Sequence, residues 1–76
     1  MLTRAEEDHL KAVRALSEEA GKAFTSAIAG RLRTKASSVT DMLKKLAEKK
    51  LVRHEPYYGV KLTAKGTAIA LQLVRR

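Results

Sequence analysis

Residues 34–50, TKASSVTDMLKKLAEKK, fit one regular structure and leave little freedom to the rest of the chain. Val39, Met42, Leu43 and Leu46 fall at i, i+3, i+4 and i+7, the spacing of one buried stripe on a helix. The opposite face carries Ser37, Ser38, Thr40, Asp41, Lys44, Lys45 and Glu48. Short hydrogen-bonding side chains come first, and cations follow. A face of that kind can lie in a DNA groove, with small polar groups at base edges and lysines toward phosphates. A plain solvated helix face has the same composition, so the neighbouring sequence has to decide.

The chain before this stretch reads as two helices. Thr3-Arg-Ala-Glu6 has the spacing of a capping box, and Glu6, Glu7 and Asp8 sit where a helix dipole favours anions. The helix this starts is predicted over about residues 4–20, burying Leu10, Val13, Leu16 and Ala20, and it ends at Gly21. Lys22-Ala-Phe-Thr25 is β-compatible and predicts a brief edge strand near Phe24, whose ring is expected in the core. Thr25 or Ser26 then caps a second helix, Ala27 to about Arg33, with Ile28, Ala29 and Leu32 inward. Gly30 inside that helix costs on the order of 1 kcal/mol relative to alanine. Two short helices joined by about three residues, the second (about 35–49) polar on one face, form the helix-turn-helix pattern.

Beyond residue 50 the period changes. Leu51–Glu55 reads as a strand, Pro56-Tyr-Tyr-Gly59 as a turn, and Val60-Lys-Leu62 as the returning strand. A lone hairpin is marginal in water and must pack on the helices. Thr63 caps a last helix, Ala64 to Arg76, with Ile69, Ala70 and Leu73 on one side. The expected fold is mainly α with a small β-hairpin, a winged helix-turn-helix in the order α-α-α-β-β-α. The hairpin is the wing, and residues 1–76 form a single domain.

Composition agrees with a thin helical core: of the 45% apolar residues, twelve are alanine. The larger inward side chains are expected to be Leu10, Val13, Leu16, Ile28, Leu32, Val39, Leu43, Leu46, Leu51, Val52, Leu62, Ile69 and Leu73. There is no cysteine, which excludes a disulfide framework and a thiolate metal site. No apolar run is long enough to span a membrane, and acids stand where a signal peptide needs its apolar core. A soluble, cytoplasmic protein is expected.

Net charge is +8, and it is unevenly placed. Residues 1–30 hold four cations against five acids, whereas residues 31–76 hold twelve against Asp41, Glu48 and Glu55. That asymmetry favours a polyanionic partner, nucleic acid before an acidic membrane. No helix joins a cationic face to large aromatic anchors, which argues against membrane binding. Enzymatic activity has no support: no nucleophile–base pair stands at a recognisable spacing, and there is no glycine-rich phosphate loop. Neither a cofactor nor a small-molecule substrate is expected.

Five segments occur together in one order: Leu2-Thr-Arg-Ala-Glu-Glu-Asp8, Ile28-Ala-Gly-Arg-Leu32, Ser37-Ser-Val-Thr-Asp-Met-Leu-Lys-Lys-Leu46, Pro56-Tyr-Tyr-Gly-Val60 and Leu62-Thr-Ala-Lys-Gly66. Together they resemble the N-terminal DNA-binding domain of the diphtheria toxin repressor family, the iron- and manganese-dependent bacterial transcriptional repressors. The resemblance covers nearly the whole chain. Its specific parts are the serine-rich helix start and the Pro-Tyr-x-Gly turn, since many winged-helix regulators share Leu-Thr-x-x-Gly. It implies that the third helix enters the major groove and the wing lies along the backbone. Lys35, Ser37, Thr40 and Asp41 would then face bases. Ser38, Lys44 and Lys45 would lie nearer phosphates, with Arg31, Arg33, Arg53 and Lys61 adding charge and Tyr57 and Tyr58 packing on sugar or donating to phosphate. For Asp41 an i,i+4 ion pair with Lys45, or a pair with Lys44, is the competing reading.

The resemblance carries metal sensing poorly. Asp8 matches a ligand position of the manganese-type members, but Lys11 stands where a second acid is usual. The family's remaining ligands, and its dimerisation region, lie in helices that would follow Arg76. No metal site is expected within these residues, and His9 and His54 read as ordinary packing or surface histidines. A monomer in solution is expected, with a dimer on palindromic DNA as the alternative, and Leu71 and Val74 as candidates for a small self-contact.

Departures from the family pattern cluster near the proposed DNA face. Arg33 and Lys50 stand where the family usually has glycine, and a lysine in a left-handed cap costs about 1 kcal/mol. Ala36 replaces a frequent proline, Gly30 a usual acid, and His9 and Arg14 usual tyrosines. These changes raise the hypothesis of an engineered stand-alone reader on such a scaffold. Two functional alternatives stay open: a docking module whose basic face meets an acidic protein, and an RNA-binding domain, which would need exposed stacking aromatics.

Overall fold

The first helix starts from its own side chains. In the computed structural model, which describes residues 2–55 and 57–74, the Thr3 hydroxyl accepts from the Glu6 amide at 3.1 Å and the Glu6 carboxylate accepts from the Thr3 amide at 2.9 Å. This closed capping box opens α1, Arg4–Ala20. The helix stops at Gly21, whose φ of +71° is the left-handed conformation that favours glycine. Leu10 and Val13 are fully buried, Leu16 is half-buried, and Ala20 is exposed rather than inward. The buried face is instead extended toward the start of the helix by Glu6 and His9. Hydrogen bonding meets part of the cost for His9, whose Nδ1–H donates to the Ala5 carbonyl at 2.7 Å while its Nε2 is buried without a partner among the described residues.

The second helix, α2, is Thr25–Leu32, two residues earlier than its hydroxyls predict, and neither Thr25 nor Ser26 caps it. The main chain before it sets the start. Ala23 forms a parallel bridge to Gly59, its N–H donating to the Tyr58 carbonyl at 3.1 Å and its carbonyl accepting from Val60 at 2.9 Å. Successive side chains of extended backbone point to opposite sides. Ala23 is therefore fully buried, and Phe24 is 43% exposed, contrary to its expected place in the core.

The third helix, α3, spans Ala36–Glu48, with Lys35 as its N-cap. Its stripe packs as predicted, with Val39, Leu43 and Leu46 buried and Met42 half-buried. Fully burying each such leucine contributes roughly 1.5–3 kcal/mol. Both α2 and α3 end with a non-glycine residue in the left-handed region, Arg33 at φ +56° and Lys50 at φ +62°. The bonds are those of a Schellman motif in each case. Thr34 N–H reaches the Ala29 carbonyl at 3.0 Å; Leu51 N–H reaches Leu46 at 3.0 Å and Lys50 N–H reaches Ala47 at 2.9 Å.

The hairpin joins β1, Val52–Glu55, to β2, Gly59–Leu62, as an antiparallel pair with Val52 opposite Leu62 and Arg53 opposite Lys61. Gly59 takes φ +81°, and a Cβ there would overlap the Ala23 carbonyl. Tyr57 also has positive φ, at +71°, which the turn sequence did not predict. Pro56, expected to fix the turn, lies outside the described residues.

The last helix, α4, is Ala64–Val74. Thr63 starts it: its hydroxyl accepts from the Gly66 amide at 3.1 Å and donates to the Lys50 carbonyl at 2.8 Å. Gly66 is needed because a Cβ would collide with the Leu51 carbonyl, where α4 lies against the end of α3. Ala70 is buried, with Ile69 and Leu73 half-buried beside it. Arg75 and Arg76, expected in this helix, lie outside the described residues, as does the Val74 side chain.

One ion pair ties α1 to the end of α3. Lys49 Nζ lies 2.5 Å from Glu6 Oε2, and the glutamate side chain is only 5% exposed. The Lys49 ammonium, helped by the Thr3 amide, holds the Glu6 carboxyl at a pKa of about 2, against desolvation that would raise it.

Candidate nucleic-acid interface

Burial of the Val39–Leu46 stripe turns the other side of α3 outward. Lys35, Ser37, Ser38, Thr40, Asp41, Lys44 and Lys45 are all exposed, so the residues expected at bases and the first phosphate contacts share one helix side. No side chain caps the start of α3, which leaves its first amides without a side-chain acceptor. Thr40 donates its hydroxyl to the Ala36 carbonyl at 3.0 Å, leaving the methyl and the oxygen lone pairs for an outside contact. Neither Lys44 nor Lys45 pairs with Asp41 among the described residues, so the competing ion-pair reading of that aspartate does not form.

The flanks differ. Arg33 is exposed at the left-handed end of α2. Arg31 is already engaged, 2.9 Å from Glu19 of α1, and it would have to leave that carboxylate to reach a phosphate. On the wing, Arg53 and Lys61 face each other across the strands, an arrangement that repels unless an anion sits between them. Arg53 turns to Glu55 at 2.8 Å, and Lys61 lies over the Tyr58 ring at 4.7 Å. Tyr57 is 88% exposed and Tyr58 47%. Phe24 is the residue the sequence reading missed. The bridge at Ala23 sets it beside the wing, so that a Cβ on Gly59 would be 3.0 Å from its ring. Its only signal in the sequence is its place just before a helix in a β-compatible run.

A helix-turn-helix whose second helix shows an unpaired polar face, with a β-hairpin wing beside it, defines a winged helix domain of the nucleic-acid-binding class. The model of the iron dependent repressor, N-terminal DNA binding domain, matches residues 1–60, and the chain belongs to that family. It is 43% identical over its whole length to the HTH-type transcriptional regulator MntR of Shouchella clausii (strain KSM-K16), covering 53% of that protein. Against MntR of Bacillus subtilis (strain 168) identity is 41%, over 54% of that protein. The chain thus spans about half the length of the curated relatives it matches. The solved structure of the manganese regulator SloR superposes with a TM-score of 0.84 at 36% identity, over 97% of this chain and 34% of that one. The reduced form of MarR from E. coli gives the same TM-score at 27% identity, over 97% and 52%.

The residues described do not fit the metal the family's description names. The Lys11 ammonium lies 3.8 Å from Asp8, where it already supplies a positive charge. His9 is turned into the helix, and His54 is exposed on β1. Among the described residues no three His, Cys, Asp or Glu side chains gather around one point. No described helix is long and apolar enough to cross a membrane.

Proposed function

We propose that residues 1–76 act as one sequence-selective reader of double-stranded DNA, in the cytoplasm and without catalysis. α3 lies in the major groove and the wing on the backbone. Lys35, Ser37, Thr40 and Asp41 face bases, where Asp41 accepts from cytosine N4 and Thr40 offers its methyl to thymine. Ser38 and the open amides of α3 anchor a phosphate and set register. Arg31, Arg33, Lys44, Lys45, Arg53 and Lys61 supply the electrostatic attraction, with Tyr57 and Tyr58 on sugar or phosphate. One observation carries this reading: on a helix whose Val39, Leu43 and Leu46 are buried in the core, Asp41, Lys44 and Lys45 have no ion-pair partner among the described residues. The domain is a monomer in solution.

Selection from a random duplex library tests the reading. A short non-palindromic motif is expected for a monomer, while a palindrome would mean pairing on DNA. With about five phosphates neutralised, log K falls with log salt at a slope of roughly −4 to −5. A flat salt response, or heparin bound better than duplex at about 150 mM salt, would replace DNA with an acidic protein partner.

A further inference from the structure

Aliphatic packing fixes how far apart two helices lie better than it fixes their slide or rotation, because it has no preferred direction. α3 contacts α1 mainly through such packing, with Leu10 and Val13 of α1 in the same cluster as Val39, Leu43 and Leu46 of α3. A directional link between these two helices joins their ends. Lys49, the C-cap of α3, is bound by Glu6, forty-three positions earlier in the chain. Glu6 is itself held in place: its other carboxylate oxygen accepts from the Thr3 amide at 2.9 Å and its side chain is nearly inaccessible. The adjacent carbonyls of Lys50 and Leu51 are held by the Thr63 hydroxyl and amide, so the far end of α3 is gripped from α1 on one side and from the α4 junction on the other.

We propose that Glu6 is a positioning residue for DNA reading, which acts through Lys49 to set the axial position and rotation of α3. This rests on the DNA-reading function proposed above. Base-edge hydrogen bonds fail when a donor or acceptor shifts by a few tenths of an ångström beyond about 3.2 Å. Flexible lysines follow a phosphate through such a shift. Releasing the grip therefore lowers binding to the preferred duplex far more than to an unrelated one, and it leaves the number of neutralised phosphates unchanged.

The test uses Glu6→Gln, which keeps an oxygen for the capping box, Lys49→Met, which keeps the stem, and the double variant. Binding is measured to the selected duplex and to an unrelated one across a salt series. The expected result is a roughly tenfold loss on the selected duplex for each single variant, with less than twofold change on the unrelated one. The salt slope should match the wild type. The double variant should be no worse than either single variant, and Lys49→Arg should recover most of the loss. A folded Glu6→Gln or Lys49→Met protein with the wild-type ratio of preferred to unrelated binding overturns the proposal. Amide exchange is read on the same proteins. At least tenfold faster exchange at the Lys49, Lys50 and Leu51 amides of Lys49→Met supports the grip, and unchanged protection there overturns it. If the wild type prefers no duplex at all, the DNA reading fails, and the exchange measurement still decides whether Glu6 holds α3.

Discussion

α1 and α3 are both amphipathic helices, of 17 and 13 residues, that treat their polar groups differently. α1 closes its first amides with the Thr3–Glu6 box and ends on a glycine. Several of its charges are answered within the protein: Lys11 by Asp8, Arg14 by Glu18 at 3.0 Å, and Glu19 by Arg31 of α2. α3 has no side-chain cap at its start and a lysine in the left-handed position beyond its end. None of Asp41, Lys44, Lys45 and Glu48 forms an ion pair among the described residues. α1 pairs most of its charges within the protein, while α3, the helix proposed to read DNA, leaves its own without an ion pair among the described residues. Interactions left unmet on an otherwise well-packed element are a physical sign of a working surface.

Four experiments break or sharpen this contrast, the largest effect first. Gly66→Ala drives a methyl into the Leu51 carbonyl where α4 supports the end of α3. It should cost about 3 kcal/mol and lower the melting temperature by roughly 12–24 °C. A wild-type melting curve would mean that this junction is looser than described. Next, replacing Lys44 and Lys45 together by alanine should weaken every duplex at least tenfold and make the salt slope shallower by about 1.8. Thermal stability should move by less than about 0.5 kcal/mol. Asp41→Ala should instead alter preference at one or two base pairs.

Third, acid should separate the two helices. The Glu6 carboxyl titrates near 2 in the fold against a usual 4.5. Its depressed value stabilises the protein above about pH 4.5, and that contribution disappears as pH falls from 4.5 to 2. The amount is on the order of 1 kcal/mol, because the ammonium that causes most of it is well exposed and screened. Glu6→Gln should flatten the pH dependence of chemical denaturation in that window. If the variant keeps the wild-type profile, other carboxylates carry it. Smallest, Lys50→Gly and Arg33→Gly should each raise stability by up to about 1 kcal/mol by relieving left-handed strain, while Gly21→Ala at the end of α1 should lower it by a similar amount. Melting curves of the three variants decide this.

Much of the architecture could be read locally. The capping box, Gly21, the stripe of α3, the Thr63 cap and the strand pair each depend on residues within about two helical turns or one hairpin. The strained ends of α2 and α3 were legible too, because Arg33 and Lys50 stand at glycine-type positions. What the sequence hid was set by contacts distant in the chain. The bridge from Ala23 to Gly59 turned Phe24 outward and advanced the start of α2. The Lys49 ammonium made a buried Glu6 tolerable, and no periodicity of apolar residues points to a glutamate. On the reading face, the sequence placed Lys35, Ser37, Thr40 and Asp41 on one exposed side. It could not show that Asp41 lacks an intrahelical partner, or that Arg31 has one on α1.

The Ala23 bridge also bears on where the length of such a domain can change. Both main-chain groups of Ala23 are tied to the wing, so an inserted residue between Gly21 and Phe24 would throw the bridge out of register and carry α2 with it. Connecting segments usually tolerate insertion, but this one is a fixed spacer. The tip around Tyr57 lies beyond the bridged residues, and growth there would alter only the reach of the wing. A residue added at the tip is therefore expected to be tolerated, whereas one added between the first two helices is expected to lower the melting temperature.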